Sequence, residues 1–184
     1  EWLVERGFMV MLPLRRGYGE PEDAPWPEKY GTCNNANYIA AGKAAADDIE
    51  AVVRYARTLP MVRKDRVVLI GQSAGGFGVV ASAGRNIDGV VAVINFAGGR
   101  GLVTAMRTFG GGAKVPSLWL YTKNDTYFEP SLSQRMAEAY KAGGGNVDYR
   151  LLPAFKNEGH EMFGSNDGRT LWTGPVEEFL KKVE

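Results

Sequence analysis

The chain has 184 residues, 45% of them hydrophobic and 23% charged, which is enough for one domain with a full core and too few for two comfortable ones. Its 22 Lys and Arg against 21 Asp and Glu leave a net charge of +1, so no field of one sign exists to hold nucleic acid or an anionic membrane. No apolar run nears the ~20 residues that span a bilayer, the lone Cys33 excludes an internal disulfide, and a single histidine excludes an ordinary structural zinc site.

In chain order, EWLVERGF reads as the last turns of a helix ending at Gly7, and the first residue is Glu1 rather than methionine. A preceding segment, with any signal peptide it carried, is therefore expected. Strands are predicted over 8–13, 66–70, 90–96, 117–122 and 147–152, as near-continuous apolar runs of the kind buried on both faces of a parallel sheet. The clearest helix covers 38–59, with Ala41, Ala45, Ile49, Val52, Val53 and Ala56 on one face, Lys43, Asp47, Glu50 and Arg54 elsewhere, and Pro60 as its stop.

A second helix is predicted from just after Ser73 to about residue 83, and a third from Ser131, its N-cap, to a stop at Gly143. The last is predicted over about 175–182, with Pro175 in its first turn. Segments 15–37, 97–116 and 153–173 read as long irregular loops, the first holding Cys33 as a loop residue. The alternation of strands and helices predicts an α/β fold, a mostly parallel sheet with helices on both faces, in one domain. Ligand sites in such folds are built from loops at the carboxyl ends of the strands. The basic groups at Arg15, Arg16, Arg63, Lys64 and Arg66 read as solvated loop or strand-edge positions.

The stretch VVLIGQSAGGFGVVASAG, residues 67–84, admits three readings. A phosphate-binding P-loop would use the spacing of Gly71 and Gly76, but Phe77 stands where its lysine is required. A dinucleotide fingerprint at Gly76, Gly78 and Ala81 begins six residues beyond Ile70, where the chain should already be helical. The third is GxSxG over Gly71, Gln72, Ser73, Ala74 and Gly75, a serine on a strained turn between strand and helix with small residues two positions to either side.

A serine hydroxyl needs a base within hydrogen-bond reach and a third group to orient that base. His160, in NEGHEMFG after the last strand, is the only imidazole available. Asp125, after the strand ending near Thr122, would emerge at the same sheet edge as Ser73, whereas Asp148 starts a strand at the opposite edge and Asp167 lies beyond the histidine. Asp125 is therefore the preferred acid, although an aspartate after a strand is by itself an ordinary turn former.

With the order Ser73, Asp125, His160, the chain resembles the α/β-hydrolase superfamily, and within it the dienelactone hydrolase-like and prolyl-oligopeptidase-like serine hydrolases. The resemblance rests on RGFMVMLPLRRGYGE, DRVVLIGQSAGG, VPSLWLYTKNDTYF and EGHEMF, and covers nearly the whole chain. It implies an acyl-enzyme mechanism without a cofactor, in which Ser73 attacks a carbonyl, His160 moves the proton and Asp125 orients the imidazole.

It further implies an oxyanion hole made by the Ala74 backbone N–H and a second amide from a loop preceding the helix that opens this chain. A longer chain is expected to supply that amide and earlier strands, and these 184 residues alone are expected to turn over slowly. Dienelactone hydrolases proper carry cysteine at the elbow, so the serine here weakens a claim to dienelactones as substrate.

Pocket walls are expected from Tyr18, Gln72, Phe96, Arg100, Tyr127, Phe128 and Met162, in an open site, since 97–116 is short for a lid domain. The expected activity is hydrolysis of small carboxylic esters. The rivals are a peptidase of the prolyl-oligopeptidase type and a non-catalytic binding protein that kept the fold. The expected partner is a small-molecule ester, with no nucleic acid, no membrane span and no metal; nothing in the sequence assigns an oligomeric state or a compartment.

Overall fold

The computed structural model describes residues 1–18, 31–32 and 35–183. A short antiparallel pair, β1 (Gly31–Thr32) and β2 (Asn35–Ala36), precedes α1 (Tyr38–Ala56). There follow β3 (Val67–Gln72), α2 (Ala74–Ala83), β4 (Val90–Phe96), α3 (Val103–Gly110), β5 (Ser117–Thr122), α4 (Pro130–Ala142), β6 (Val147–Leu152) and α5 (Arg169–Val183). Strands β3 to β6 form one parallel sheet in sequence order, so their carboxyl ends share one edge.

The apolar runs divide between two cores by simple alternation. Leu69, Val93, Trp119 and Tyr121 face a layer made by α1, α2, α3 and α4. Ala92, Ile94, Phe96, Leu118 and Leu120 face α5 through Trp172, Val176, Phe179 and Leu180. Both faces are therefore covered, which is why the strands read as continuous hydrophobic stretches. Among the described residues no helix is long and apolar enough to cross a membrane.

Predicted and observed bounds coincide for β4, β5 and β6, and α2 starts directly after Ser73. Elsewhere the structure corrects the reading. Residues 8–13 join no ladder among the described residues, and Leu12 is 91% exposed; apolar composition fits a strand, but a strand exists only with a hydrogen-bonded neighbour. Strand β3 runs to Gln72 rather than stopping at Ile70, because the ladder to β4 continues through Gly71↔Asn95 and Gln72↔Phe96.

Helix α1 ends at Ala56, and the chain passes through turn bonds from Thr58 N to Tyr55 O and from Leu59 N to Ala56 O before reaching Pro60. Helix α4 begins at Pro130, with Glu129 rather than Ser131 at the N-cap, since proline's fixed φ and missing N–H suit the first helical position. Helix α5 begins at Arg169 and keeps Pro175 in its interior, where burial of Trp172, Val176, Phe179 and Leu180 outweighs the lost hydrogen bond.

The helical end at Gly7 is a single 3-10 turn, Val4–Arg6, closed by Gly7 at φ 82°. Segment 97–116 holds α3, and 153–173 holds a further 3-10 turn, Gly159–Glu161, and the first residues of α5. Cys33 lies outside the described residues.

Candidate active site

Ser73 stands between the last residue of β3 and the first of α2, with φ 53° and ψ −119°. A non-glycine residue in this region costs ~1–3 kcal/mol and is kept only where its surroundings fix it. Here the Ser73 N–H donates to Phe96 O at 3.0 Å, and Phe77 N–H closes the first helical turn on Ser73 O at 3.0 Å. The amides of Ala74, Gly75 and Gly76 precede that bond and have no helical acceptor.

The glycines around the serine are not equivalent. A Cβ on Gly71 would lie 2.3 Å from Gly75 O, and one on Gly76 would lie 2.2 Å from Asn95 Oδ1, whereas one on Gly75 meets nothing within 4 Å among the described residues. The close approach that the GxSxG reading expects two positions to either side of the serine is made at Gly71 and, one residue beyond the motif, at Gly76, but not at Gly75. Beneath the elbow, buried Asn95 donates through Nδ2 to Tyr121 OH at 3.1 Å, and Tyr121 OH donates to Gly98 O. Burial pushes the Tyr121 phenol far above its ordinary value, keeping it a neutral donor.

Asp125 follows β5 and is 2% exposed. Its Oδ1 accepts from the N–H groups of Tyr127 and Phe128, both at 2.9 Å, and its Oδ2 lies 3.2 Å from His160 Nδ1. A carboxylate only accepts, so in a neutral imidazole this contact puts the proton on Nδ1 and the lone pair on Nε2. His160 sits in the 3-10 turn after β6, where a Cβ on Gly159 would come 1.7 Å from Thr122 Oγ1, so only glycine lets the turn lie against the end of β5.

The structure joins Asp125 to His160 directly; it does not join His160 to Ser73, whose hydroxyl makes no hydrogen bond to the imidazole. The link between elbow and histidine turn is one residue away, where Gln72 Nε2 donates to His160 O at 2.8 Å. Catalytic hydrogen bonds are often long or open before substrate is present.

Of the expected pocket residues, Tyr127 is 67% exposed with its ring centroid 4.5 Å from that of His160, and Phe128 backs the same imidazole at 5.7 Å from below the surface. Tyr18 is exposed and carries the Arg15 guanidinium 4.6 Å over its ring, while Arg100 is half-buried. Phe96 and Met162 are each 1% exposed and packed in the α5 core, and Phe96 lines a cavity together with Ile70, Phe163, Gly164 and Trp172. Asp148 and Asp167 pair with Arg150 and Lys156, respectively.

Sequence reasoning missed Asn95, Tyr121 and Glu158. The Glu158 carboxylate accepts from His160 N–H at 2.9 Å and Thr126 N–H at 3.2 Å, and bonds the Thr126 hydroxyl. These bonds, the Thr126 hydroxyl first, hold its carboxyl below the usual range. An acidic residue two positions before a loop histidine was the available signal, since such a side chain can cap the turn that follows.

A sequence model of the dienelactone hydrolase family matches residues 1–172. YfhR, an uncharacterized protein of Salmonella typhimurium, is 32% identical over 84 residues, which is 46% of this chain and 24% of that protein. Among solved structures, esterase PE8 superposes with a TM-score of 0.63 at 17% identity, covering 89% of this chain and 72% of that one. The Pyrococcus furiosus esterase Pf2001 gives 0.57 at 15% identity, covering 75% and 61%. The chain therefore spans about a quarter of YfhR's length where the two align, and less than two thirds of Pf2001.

Proposed function

The chain belongs to the dienelactone hydrolase family, and from that membership we propose that it is a serine hydrolase cleaving small carboxylic esters through an acyl-enzyme. The observation that carries this reading is the Asp125–His160 contact of 3.2 Å at the same sheet edge as the Ser73 elbow. Ser73 Oγ attacks the ester carbonyl as His160 Nε2 takes its proton, forming the new C–O bond and a tetrahedral oxyanion. The Ala74 N–H, which has no acceptor within α2, is the donor assigned in this reading to that charge.

Collapse breaks the bond to the alcohol, which leaves with the proton from His160. Water then enters by the same route in reverse roles and releases the acid. Asp125 holds the Nδ1 tautomer and stabilises the imidazolium during both halves. Tyr127, exposed with its ring beside the imidazole, is assigned in this reading to the wall of the leaving-group side.

Hydrolysis of p-nitrophenyl acetate tests the assignment. Ser73→Ala and His160→Ala should each lower kcat by at least ~10⁴-fold while the protein stays folded. Retention of wild-type turnover by folded Ser73→Ala contradicts the proposal.

A further inference from the structure

One carboxylate outside the triad touches the neighbourhoods of both Asp125 and His160. Glu158 sits immediately before the 3-10 turn that carries His160, and its Oε1 accepts the His160 N–H at 2.9 Å. The same carboxylate reaches across 32 positions of chain to Thr126, the residue after Asp125, taking its N–H at 3.2 Å and bonding its hydroxyl. The loop after β5 and the turn after β6 are thus tied together by one side chain at the point where the acid meets the base.

The backbone reinforces the tie, as Gly159 N–H donates to Asn124 O at 3.2 Å, and the Asn124 side chain bonds Phe155 N, Phe155 O and Lys156 O. These bonds fix where the turn lies. Among the described residues Glu158 alone bonds both the His160 backbone and the Thr126 side chain, and it adds a charge to the tie.

We infer that Glu158 is a positioning residue, which holds the Asp125 loop and the His160 turn in register and lends its negative charge to the imidazolium. The inference rests on the reading of His160 as the general base. It gives Glu158 a role separable from that of Asp125: Asp125 bonds the ring, while Glu158 bonds the backbone of His160 and acts on the ring only through space. Among the described residues, Asp125 and Tyr127 from the connection between β5 and α4 contact the His160 ring, Glu158 from the connection after β6 bonds its backbone N–H, Glu161 follows it in sequence, and the neutral Gln72 of β3 bonds its backbone O.

Two substitutions separate the two parts of the role. Glu158→Ala removes both the acceptors and the charge; a misplaced base costs up to ~10²-fold in kcat, with KM little changed. Glu158→Gln keeps an acceptor for the His160 N–H and removes the charge. It should lose less kcat than Glu158→Ala and move the acid limb of the kcat/KM profile to lower pH, because an imidazolium without its neighbouring anion loses its proton more readily.

The test is the pH dependence of p-nitrophenyl acetate hydrolysis for wild type, both Glu158 variants and Ser73→Ala, each measured below its own melting temperature. A lowered acid limb in Glu158→Gln supports the inference even where Glu158→Ala fails to fold, since a purely structural carboxylate would change stability and leave that limb in place. An unmoved limb in Glu158→Gln overturns it. Activity persisting in folded Ser73→Ala shows instead that the serine hydrolase reading has failed, so the two failures are distinguishable.

Discussion

His160 Nδ1 lies 3.2 Å from Asp125 Oδ2, and the other oxygen of that carboxylate is held by two backbone amides at 2.9 Å each. The carboxylate cannot turn without losing both amides, so it fixes the ring's tautomer as well as its orientation. Asp125→Asn keeps the shape but can present an N–H to Nδ1 and favour the wrong tautomer. Its kcat for ester hydrolysis should fall by ~10⁴-fold with the melting temperature nearly unchanged, as judged by steady-state kinetics beside a thermal melt.

The glycines after the serine should respond in opposite directions. A methyl on Gly75 meets nothing within 4 Å among the described residues and replaces glycine within a helix, so Gly75→Ala should stabilise by ~0.4–1 kcal/mol. A methyl on Gly76 would be 2.2 Å from Asn95 Oδ1 and 2.8 Å from Gly98 Cα, so Gly76→Ala should destabilise by ~1–3 kcal/mol. Urea unfolding of the pair reads both signs at once.

Gly159→Ala forces the histidine turn off the end of β5, because its Cβ would come 1.7 Å from Thr122 Oγ1 and 2.6 Å from Asn124 Oδ1. The cost should be ~1–3 kcal/mol of stability, with a loss of kcat larger than that stability loss explains, because the displaced element carries His160. Kinetics at a temperature where the variant remains folded check the second part.

Glu178, on α5, accepts from Arg150 of β6 at 2.7 Å and Lys182 at 3.0 Å, and these bonds, Arg150 first, hold its carboxyl down at about 2. A folded-state value below the ordinary 4.5 means that its stabilising contribution is present above pH 4.5 and is lost as pH falls toward 2. Glu178→Gln should therefore unfold at lower urea than wild type at pH 7, by a margin that shrinks with added salt and closes as pH falls through that window.

Much of this arrangement is legible in the chain because it lies at the ends of strongly patterned elements. The runs 90–96, 117–122 and 147–152 are each apolar and bounded by turn residues, so their ends, and hence the positions of Asp125 and His160 beyond them, can be placed from composition. Ser73 is localised by the switch from a β-branched run to small helix-compatible residues.

What escaped depends on distant partners. Residues 8–13 have a strand's composition but no ladder in the described structure. Helix α3 is eight residues set between glycine-rich segments, too short for periodicity to declare it. Pro175 reads as a helix start, and only the burial of Trp172 against the sheet shows that the helix began six residues earlier, at Arg169. Glu158 acquires its role through Thr126, 32 positions away, and Asn95 through packing against Gly76 and Gly98; neither relation is written in local sequence.

The most direct test of the account is reaction with a fluorophosphonate, which phosphorylates activated serines, followed by intact-mass measurement and peptide mapping beside Ser73→Ala and His160→Ala. The account predicts one adduct, on the peptide holding Ser73, absent in Ser73→Ala and formed far more slowly in His160→Ala. A folded chain that takes no adduct, or takes it on another serine with Ser73→Ala labelled as well as wild type, contradicts it.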